Sequence, residues 1–503
     1  MYQALLTRRY LTSKIMPLLA AVAVMLCTAM VLIVWSVMGG FLEMLISSGR
    51  TLIGDVSISN MGGITYHQDL MKRLEEDEEV AAATPVLETY GLLSLPLSLH
   101  RVVVKGIDAP SFDRVTGYRE SLWWKPITEP LPKDKRREDL RLNPEHKQGL
   151  EEFHAAAIEF GDAALRPPAV IGIEVGGYNT RSEAGFFQPL QFLPGKEATV
   201  SVLAVDRRGR MIPEQQPKVF RIVNQFRSGL YEIDANTVFV PLESLQKMLK
   251  MDAAVRSSGP RLVVDPETGE ESFEEAQPGS TVTVPSRVTT ILIRARDGTD
   301  ADRLKARIDR IYKDFARAHE NDPSPPPYPE AVRIQTWRDQ NAMLIGAVEK
   351  ETYMVLTIFG IVSLTAVFLV LAIFWAMVSE KTKDIGILRA IGASRAGIAW
   401  LWLRYGLAIG VVGSILGGIA AYLVVSNINE IHEWIALIGQ RITGQKAYIW
   451  DPRIYYFTQI PSKIEVWKAV IVLSGGVLAS VAGALVPAIK AARMDPVRAL
   501  RWE

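Results

Sequence analysis

Four long stretches of this 503-residue chain carry no charged residue: 15–42, 352–379, 405–429 and 469–489. They hold 28, 28, 25 and 21 residues and are rich in Leu, Ile, Val and Ala. A bilayer core of about 30 Å needs about 20 helical residues to cross it. A charge at the centre of such a helix costs about 3 kcal/mol on insertion scales, so the absence of charge is itself the signal. Four membrane-spanning helices are expected. The next apolar stretch, Thr89–Leu99, is too short and contains Pro96, and is expected to be soluble core or strand. The first run also exceeds the apolar region of a cleaved leader, usually about 7–15 residues. It continues through Met38, Gly39, Gly40 and Phe41 without a convincing cleavage site.

Lys and Arg near the span ends set orientation. The N-terminus carries Arg8, Arg9 and Lys14. The 380–404 segment carries Lys381, Lys383, Arg389, Arg395 and Arg404, and the tail Lys490, Arg493, Arg498 and Arg501. The consistent solution places both termini and the 380–404 segment in the cytoplasm. The expected division is 1–14 cytoplasmic N-terminus, 15–42 first span, 43–350 outer domain with stalk helices and 351–379 second span. A cytoplasmic coupling segment at 380–404, a third span at 405–429, an outer loop at 430–468, a fourth span at 469–489 and a tail at 490–503 follow. The fold class expected is an α-helical membrane protein with four transmembrane helices and a large α+β domain inserted between helices 1 and 2.

The outer domain reads as α+β. Residues 199–204 and 290–296 alternate as strands do. Short β-rich runs occur at 101–104, 170–173, 219–223 and 237–240. Leu304, Ile308, Ile311 and Phe315 fall on one helical face, and Pro241 is placed to open a helix running to Lys250. Residues 122–151 and 255–287 read as loops, the run KDKRRED within the first as a solvated face. The run DPSPPPYP at 322–329 reads as a stiff connector before a last outer helix at 335–350.

Much chemistry is excluded. The formal net charge is +1, which provides no global field for nucleic acid. The single cysteine, Cys27, permits no intrachain disulfide. The one Gly-Lys pair, Gly195–Lys196, has Leu190 where a phosphate-binding loop needs Gly and Glu197 where it needs Ser or Thr. The six histidines, His67, His100, His146, His154, His319 and His432, are scattered, and no metal site is expected. Catalysis by this chain is not expected, and no ionisable residue sits mid-span to couple an ion gradient. Energy must then enter through a partner.

Two features point to how. Residues 379–398 read SEKTKDIGILRAIGASRAGI, in which Asp384, Ile387, Leu388 and Ile391 share one helical face and Gly392 ends the run. The physical reading is an amphipathic helix at the membrane surface, either a connector or a coupling helix for a cytoplasmic ATPase. The third span carries Gly406, Gly410, Gly413 and Gly417 at i, i+4, i+7 and i+11, a stripe that lets helix backbones approach closely. Packing within one subunit and a seam between subunits both remain open for it. Gly39 and Gly40 read either as a hinge or as a packing device.

That segment, the four-span layout and the tail AARMDPVRALRWE resemble the FtsX/MacB-type ABC transporter permeases. WSVMGGF at 35–41, VVVKGID at 102–108, RSGLYEIDANTVFVPLES at 227–244, TWRDQNAMLIGAVEK at 336–350 and DPRIYYFTQIPSKIE at 451–465 are similar to the lipoprotein-releasing transmembrane proteins of the LolC/LolE family. The resemblance covers 1–110, 165–250 and 288–503, and leaves the 120–165 and 252–287 insertions outside it.

The resemblance implies a non-catalytic inner-membrane subunit that binds no cofactor, with ATP and magnesium held by a partner ATPase. It assigns ATPase coupling to Glu380, Lys381, Asp384, Ile387, Leu388, Arg389, Ile391 and Gly392. It implies two copies of a cytoplasmic ABC ATPase, a second permease subunit, alike or different, and no nucleic acid. Residues Asp206–Lys218 are similar in position to the loop that engages a periplasmic lipoprotein carrier, with Met211, Pro213, Gln216 and Pro217 as its candidate contacts. Export of the MacB type, and regulation of a cell-wall enzyme without transport, remain open beside lipoprotein release.

Overall fold

The computed structural model describes residues 15–50, 52–96, 98–126, 144–160, 166–181, 187–205, 211–257, 261–264, 271–274, 281–443 and 459–500. The KDKRRED run lies outside them. In chain order the elements begin with helix α1 (Ile15–Arg50), β1 (Val56–Ile64), α2 (His67–Glu75), β2 (Val80–Leu95) and β3 (Ser98–Ile107). Then come α3 (Ala109–Val115), α4 (Tyr118–Ser121), α5 (Pro144–Glu159), β4 (Pro168–Gly172), β5 (Asn179–Arg181), β6 (Phe187–Pro189), β7 (Glu197–Val205) and β8 (Met211–Phe226). They are followed by α6 (Tyr231–Asn236), β9 (Thr237–Pro241), α7 (Leu242–Leu249), the short strands β10 (Ala254–Ser257), β11 (Arg261–Val264), β12 (Glu271–Glu274) and β13 (Thr281–Val284), and β14 (Val288–Ala295). The rest is α8 (Ala301–Ala318), β15 (Arg333–Thr336), α9 (Trp337–Gln340), α10 (Ala342–Glu380), α11 (Thr382–Ala390), α12 (Arg395–Ser426), α13 (Ile428–Thr443), α14 (Val466–Ala492) and α15 (Pro496–Leu500).

The chain forms two compact units. One, residues 45–342 with 452–458, is mixed α/β. Its strands run in the order β15-β1-β14-β2-β3-β9-β4-β8-β7, and β7 also pairs with β2. That last pairing closes β2, β3, β9, β4, β8 and β7 into a ring. The long strand β2 makes it possible: Val80–Val86 pair with β14, while Gly91–Ser94 pair with β7. A Cβ on Gly91 would lie 2.8 Å from the Ser201 carbonyl oxygen, so the close crossing needs glycine. The ring is filled by Leu87, Leu93, Val104, Ile171, Val200, Ile222 and Val238, all fully buried.

The four strands outside and at the edge of the ring have a second logic. β1-α2-β2 and β14-α8-β15 are two strand–helix–strand units whose strands interleave as β15-β1-β14-β2, all antiparallel. This is the split, ferredoxin-like arrangement, with the ring strands inserted between its halves. α2 and α8 bury Leu70, Leu74, Leu304, Ile308, Tyr312 and Phe315 against Ile58, Ile291 and Ile293. α8 is thus the expected helix, although its buried face takes Tyr312 where Ile311 was expected and leaves Ile311 partly exposed. α7 matches the expected helix after Pro241, with Lys250 closing it in the left-handed region.

The stretches read as loops are partly structured. α5 buries Leu150 and Ala157 and sets Phe153 against the Phe112–Tyr118–Phe226–Phe239 cluster. β10 pairs with β13 and β11 with β12. The expected outer helix at 335–350 is two helices preceded by a strand. Thr336 ends β15 and accepts from the Asp339 amide at 3.1 Å, while Asp339 accepts from the Thr336 amide at 3.0 Å. This capping box starts α9, and Asn341 separates it from α10.

His319, at the end of α8, lies between two carboxylates: Nε2 is 3.0 Å from Asp69 and Nδ1 2.6 Å from Asp322. The ring stacks on Tyr66 at 4.6 Å, and Arg73 bonds Asp69 at 2.8 Å. Burial by itself lowers the His319 pKa, but the hydrogen bonds to Asp322 and Asp69 outweigh it and hold the pKa above the ordinary value. A raised folded-state pKa stabilises fully below the unfolded value of about 6.5 and is lost as pH rises through the folded value. The outer unit is therefore expected to become less stable as pH is raised upward from about 6.5, and His319→Gln should flatten that slope. Thermal unfolding of the full chain across that range measures it, and parallel profiles for the two proteins would refute the assignment.

The other unit contains residues 1–44, 343–451 and 459–503. Among the described residues, four of its helices are long and apolar enough to cross a membrane: Met16–Met44, Ile345–Glu380, Arg395–Ser426 and Val466–Ala492. α1 runs unbroken through Gly39 and Gly40. A Cβ on Gly40 would lie 2.6 Å from the Ser462 Cα, so Gly40 is a close-packing site in a continuous helix, whereas a Cβ on Gly39 would meet nothing nearer than the Lys468 Nζ at 3.1 Å. Near that end of α1, Lys463 bonds Glu43, and Trp35 meets Trp467 edge-on at 5.8 Å. The outer loop at 430–468 contains an unexpected amphipathic helix, α13, beginning two residues after α12 ends.

Candidate functional site

The connector between the second and third spans is built from short-range rules. α10 ends at Glu380, which is exposed. Thr382 Oγ1 donates to the Ser379 carbonyl at 2.8 Å, and Lys381 Nζ bonds Asp384 at 2.8 Å on the first turn of α11. Gly392 has φ of +103°, a value natural only to glycine. Its amide donates to Arg389 O at 3.1 Å, and the Ala393 amide to Leu388 O at 3.0 Å. That bond pair is the Schellman termination. Ser394 then caps α12, its Oγ accepting from the Gly397 amide at 3.1 Å. The turn between α11 and α12 is thus bonded on both sides.

α11 has two faces. Ile385 and Gly386 are buried, Ile385 in a cluster with Val378 of α10, Ile398 of α12 and Ala491 of α14. On the opposite face Ile387, Leu388 and Ile391 are 47%, 37% and 80% exposed. Asp384 shares that exposed side, and Arg389 reaches back to the Ala393 carbonyl at 3.2 Å. The structure therefore places the sequence-marked residues 382–390 on one short, anchored helix, with Glu380 and Lys381 just before it, Ile391 and Gly392 just after it, and an open apolar edge along it.

The glycine stripe is placed elsewhere. Gly406, Gly410, Gly413 and Gly417 are all buried in α12. Gly406 and Gly410 face Ala484 and Ser480 of α14, while Gly413 and Gly417 face Val24 and Thr28 of α1. Ser480 Oγ donates to the Gly406 carbonyl at 2.9 Å across the contact.

The outer hairpin differs from its expected form. Met211, Pro213, Gln216 and Pro217 belong to β8 rather than to a loop, with Met211 opposite Val205, Gln216 opposite Val202 and Pro217 opposite Ser201. Asp206–Arg210 lie outside the described residues. β4 pairs with β8 only from Arg221 onward, so residues 211–220 form a strand edge, the place in a sheet where proline is tolerated. Among the described residues no group of His, Cys, Asp and Glu could hold a metal ion.

The geometry can be set beside known proteins. Residues 356–496, which include the later part of α10 and all of α11, α12 and α14, match the FtsX-like permease C-terminal family. The chain is 21% identical over 313 residues to the lipoprotein-releasing system transmembrane protein LolC of Neisseria meningitidis, covering 61% of this chain and 62% of that one. It is 26% identical to LolC of Xylella fastidiosa and 24% identical to LolE of Haemophilus influenzae, each over 34% of this chain and 40% of the relative. The matches thus span about two fifths to three fifths of the relatives' lengths. The periplasmic region of MacB from Actinobacillus actinomycetemcomitans aligns to 60% of the chain at 10% identity with a TM-score of 0.28, which defines no shared fold. The class to which these likenesses point is that of the FtsX/MacB-type ABC transporter permeases. Within that class the likeness is to the LolC/LolE proteins.

Proposed function

We propose that this chain is the membrane subunit through which a cytoplasmic ABC ATPase moves an outer domain to release lipid-anchored proteins from the inner membrane. The observation that carries the reading is the exposed Ile387–Leu388–Ile391 edge on an anchored helix between two spans. The names of the LolC and LolE relatives supply the cargo class. ATP and magnesium reside in the ATPase, two copies of which engage this chain and a second permease, alike or different. Both termini and α11 face the cytoplasm, and residues 45–342 face the periplasm. When the ATPases close on ATP, their groove displaces α11. The bonded turn at Gly392–Ser394 passes the displacement to α12, and the Ile385 cluster passes it to α10 and α14. The edge strand at Met211–Pro217 presents a surface for a soluble carrier.

Reconstitution tests this reading. Liposomes holding this chain, its second permease and the ATPase should release a lipid-anchored protein to a soluble carrier on ATP addition. Deleting Met211–Gln216 should abolish transfer to the carrier while leaving ATPase recovery in pull-down unchanged. ATP-driven turnover without any release of lipid-anchored protein would reject the cargo, and undiminished transfer by the deletion variant would reject the hairpin's role.

A further inference from the structure

The helix α13 follows the third span with only Asn427 between them. Asn427 serves both helices: its amide donates to the Leu423 carbonyl at 3.3 Å, and its carbonyl accepts from the Ile431 amide at 2.9 Å. Arg404 is the last charged residue of α12. From there to the helix end at Ser426 is about 33 Å at 1.5 Å per residue, against a hydrocarbon core of about 30 Å. With Arg404 at one membrane surface, α13 therefore starts at the other. Trp35, Trp467 and Lys468 mark the same boundary. Lys468 Nζ lies 5.7 Å from the Trp35 ring and 5.8 Å from the Trp467 ring, and Trp467 is exposed. Tryptophan and lysine gather in this way at a membrane–water interface. Residues 460–463 tie that belt to α13: the Ile460 amide donates to Asn429 Oδ1 at 2.8 Å, and the Lys463 amide to the Ser36 carbonyl at 3.0 Å.

α13 has three sides. Asn429, His432 and Ala436 recur at i, i+3 and i+7 and turn to the protein: Ala436 is 2% exposed, and Asn429 holds Ile460. Glu430, Glu433, Gln440 and Arg441 form a second side, polar and exposed. Ile428, Ile431, Ile435, Ile438 and Ile442 form the third, with Trp434 on its edge. This side carries the large apolar groups, yet Trp434, Ile435 and Ile442 are 65%, 40% and 78% exposed. Among the described residues no helix or strand packs along it beyond the junction with α12. A helix of a soluble protein buries its apolar stripe against the core. α13 instead packs its small and polar flank and leaves the isoleucines open, so their cover must come from outside the unit.

We propose that α13 is an interfacial helix, lying in the plane of the leaflet opposite α11, with the isoleucine stripe and Trp434 sunk about 5–10 Å into the headgroup–acyl boundary and Glu433 and Gln440 in water. The cover is the lipid surface, continuous with that around the exposed Ile419, Tyr422 and Leu423 of α12. Glu430 and Glu433 against a single Arg441 give the polar side no cationic excess for anionic headgroups. Burial of apolar side chains is what holds the helix down, and it fixes the depth of the link between the third and fourth spans. The inference rests on the helix geometry and is independent of the cargo.

Spin labels test it in the full chain, held in nanodiscs of phosphatidylethanolamine and phosphatidylglycerol. The one native cysteine is removed by Cys27→Ser, and Ile435→Cys, Ile442→Cys, Glu433→Cys and Gln440→Cys each supply a single label at an exposed position. Power saturation then compares oxygen, which concentrates in lipid, with a nickel chelate, which stays in water. Labels at positions 435 and 442 should relax more with oxygen than with nickel, and labels at 433 and 440 should show the reverse. Nickel dominance at all four positions would place the helix in water and overturn the proposal. Shielding of 435 and 442 from both reagents would overturn it too, since protein, such as a second copy of the chain, would then cover the stripe. Oxygen dominance at all four would do the same by immersing the whole helix in lipid.

Discussion

Leu388→Asp is expected to leave the chain in the membrane at normal levels and to abolish recovery of the ATPase. The side chain is 37% exposed and belongs to none of the buried clusters, so its removal costs the fold little. In a complex the position changes meaning. Burying one Leu is worth about 1.5–3 kcal/mol, which is about 10- to 150-fold in affinity. An aspartate there loses that gain and adds a carboxylate that must be desolvated without a partner. Ile385→Asp is the contrasting variant. Ile385 is 3% exposed among Val378, Ile398 and Ala491, and a charge there should lower membrane levels before association can be measured. Pull-down of the ATPase with each variant, normalised to membrane-inserted protein, separates the two. Normal ATPase recovery and normal transport with Leu388→Asp would reduce α11 to a connector.

The spans and the connector were legible because their signals are local. Absence of charge over 20 or more residues needs no knowledge of the fold, and Gly392 advertises a helix end by itself. The outer unit was legible strand by strand and not as a whole. Alternation at 199–204 says that a strand forms, but not that β7 pairs with both β8 and β2. Ring closure rests on contacts between residues about a hundred positions apart, such as Gly91 and Val202. The ferredoxin-like pattern is hidden for the same reason, since its second half starts at Val288, nearly two hundred residues after β2.

Two misses had readable signals. The T-x-x-D spacing of Thr336 and Asp339 marks a helix start after a strand. Ile428, Ile431, Ile435, Ile438 and Ile442 recur at helical spacing and announce α13. The preference for Tyr312 over Ile311 was not readable: it depends on the Tyr312 hydroxyl reaching the Pro327 carbonyl at 2.8 Å. At the candidate site, the exposed edge of Ile387, Leu388 and Ile391 followed from periodicity. That Ile385 anchors the other face did not, because its partners come from three different helices.

Gly413→Leu and Gly417→Leu are expected to separate the first span from the third. On Gly413 even a Cβ would sit 2.8 Å from the Ala21 carbonyl oxygen, and on Gly417 2.7 Å from the Met25 carbonyl oxygen. Both obstacles are backbone, so the helices must move apart. Overpacking a fitted interface typically costs about 1–3 kcal/mol, and the two sites share one contact, so their effects should not simply add. The alanine series gives the sharper contrast. Alanine is the better helix former by about 0.8–1 kcal/mol, so Gly360→Ala and Gly475→Ala, where a Cβ meets nothing within 4 Å, should hold or raise the melting temperature in detergent. Gly406→Ala, Gly410→Ala, Gly413→Ala and Gly417→Ala should lower it, because a Cβ there would meet neighbouring atoms at 2.6–2.9 Å. The stripe then serves two partners in one chain, α14 through Gly406 and Gly410 and α1 through Gly413 and Gly417. If the leucine variants melt like the parent protein but lose crosslinking to a second permease, the stripe is a seam between subunits and the intrachain packing is wrong.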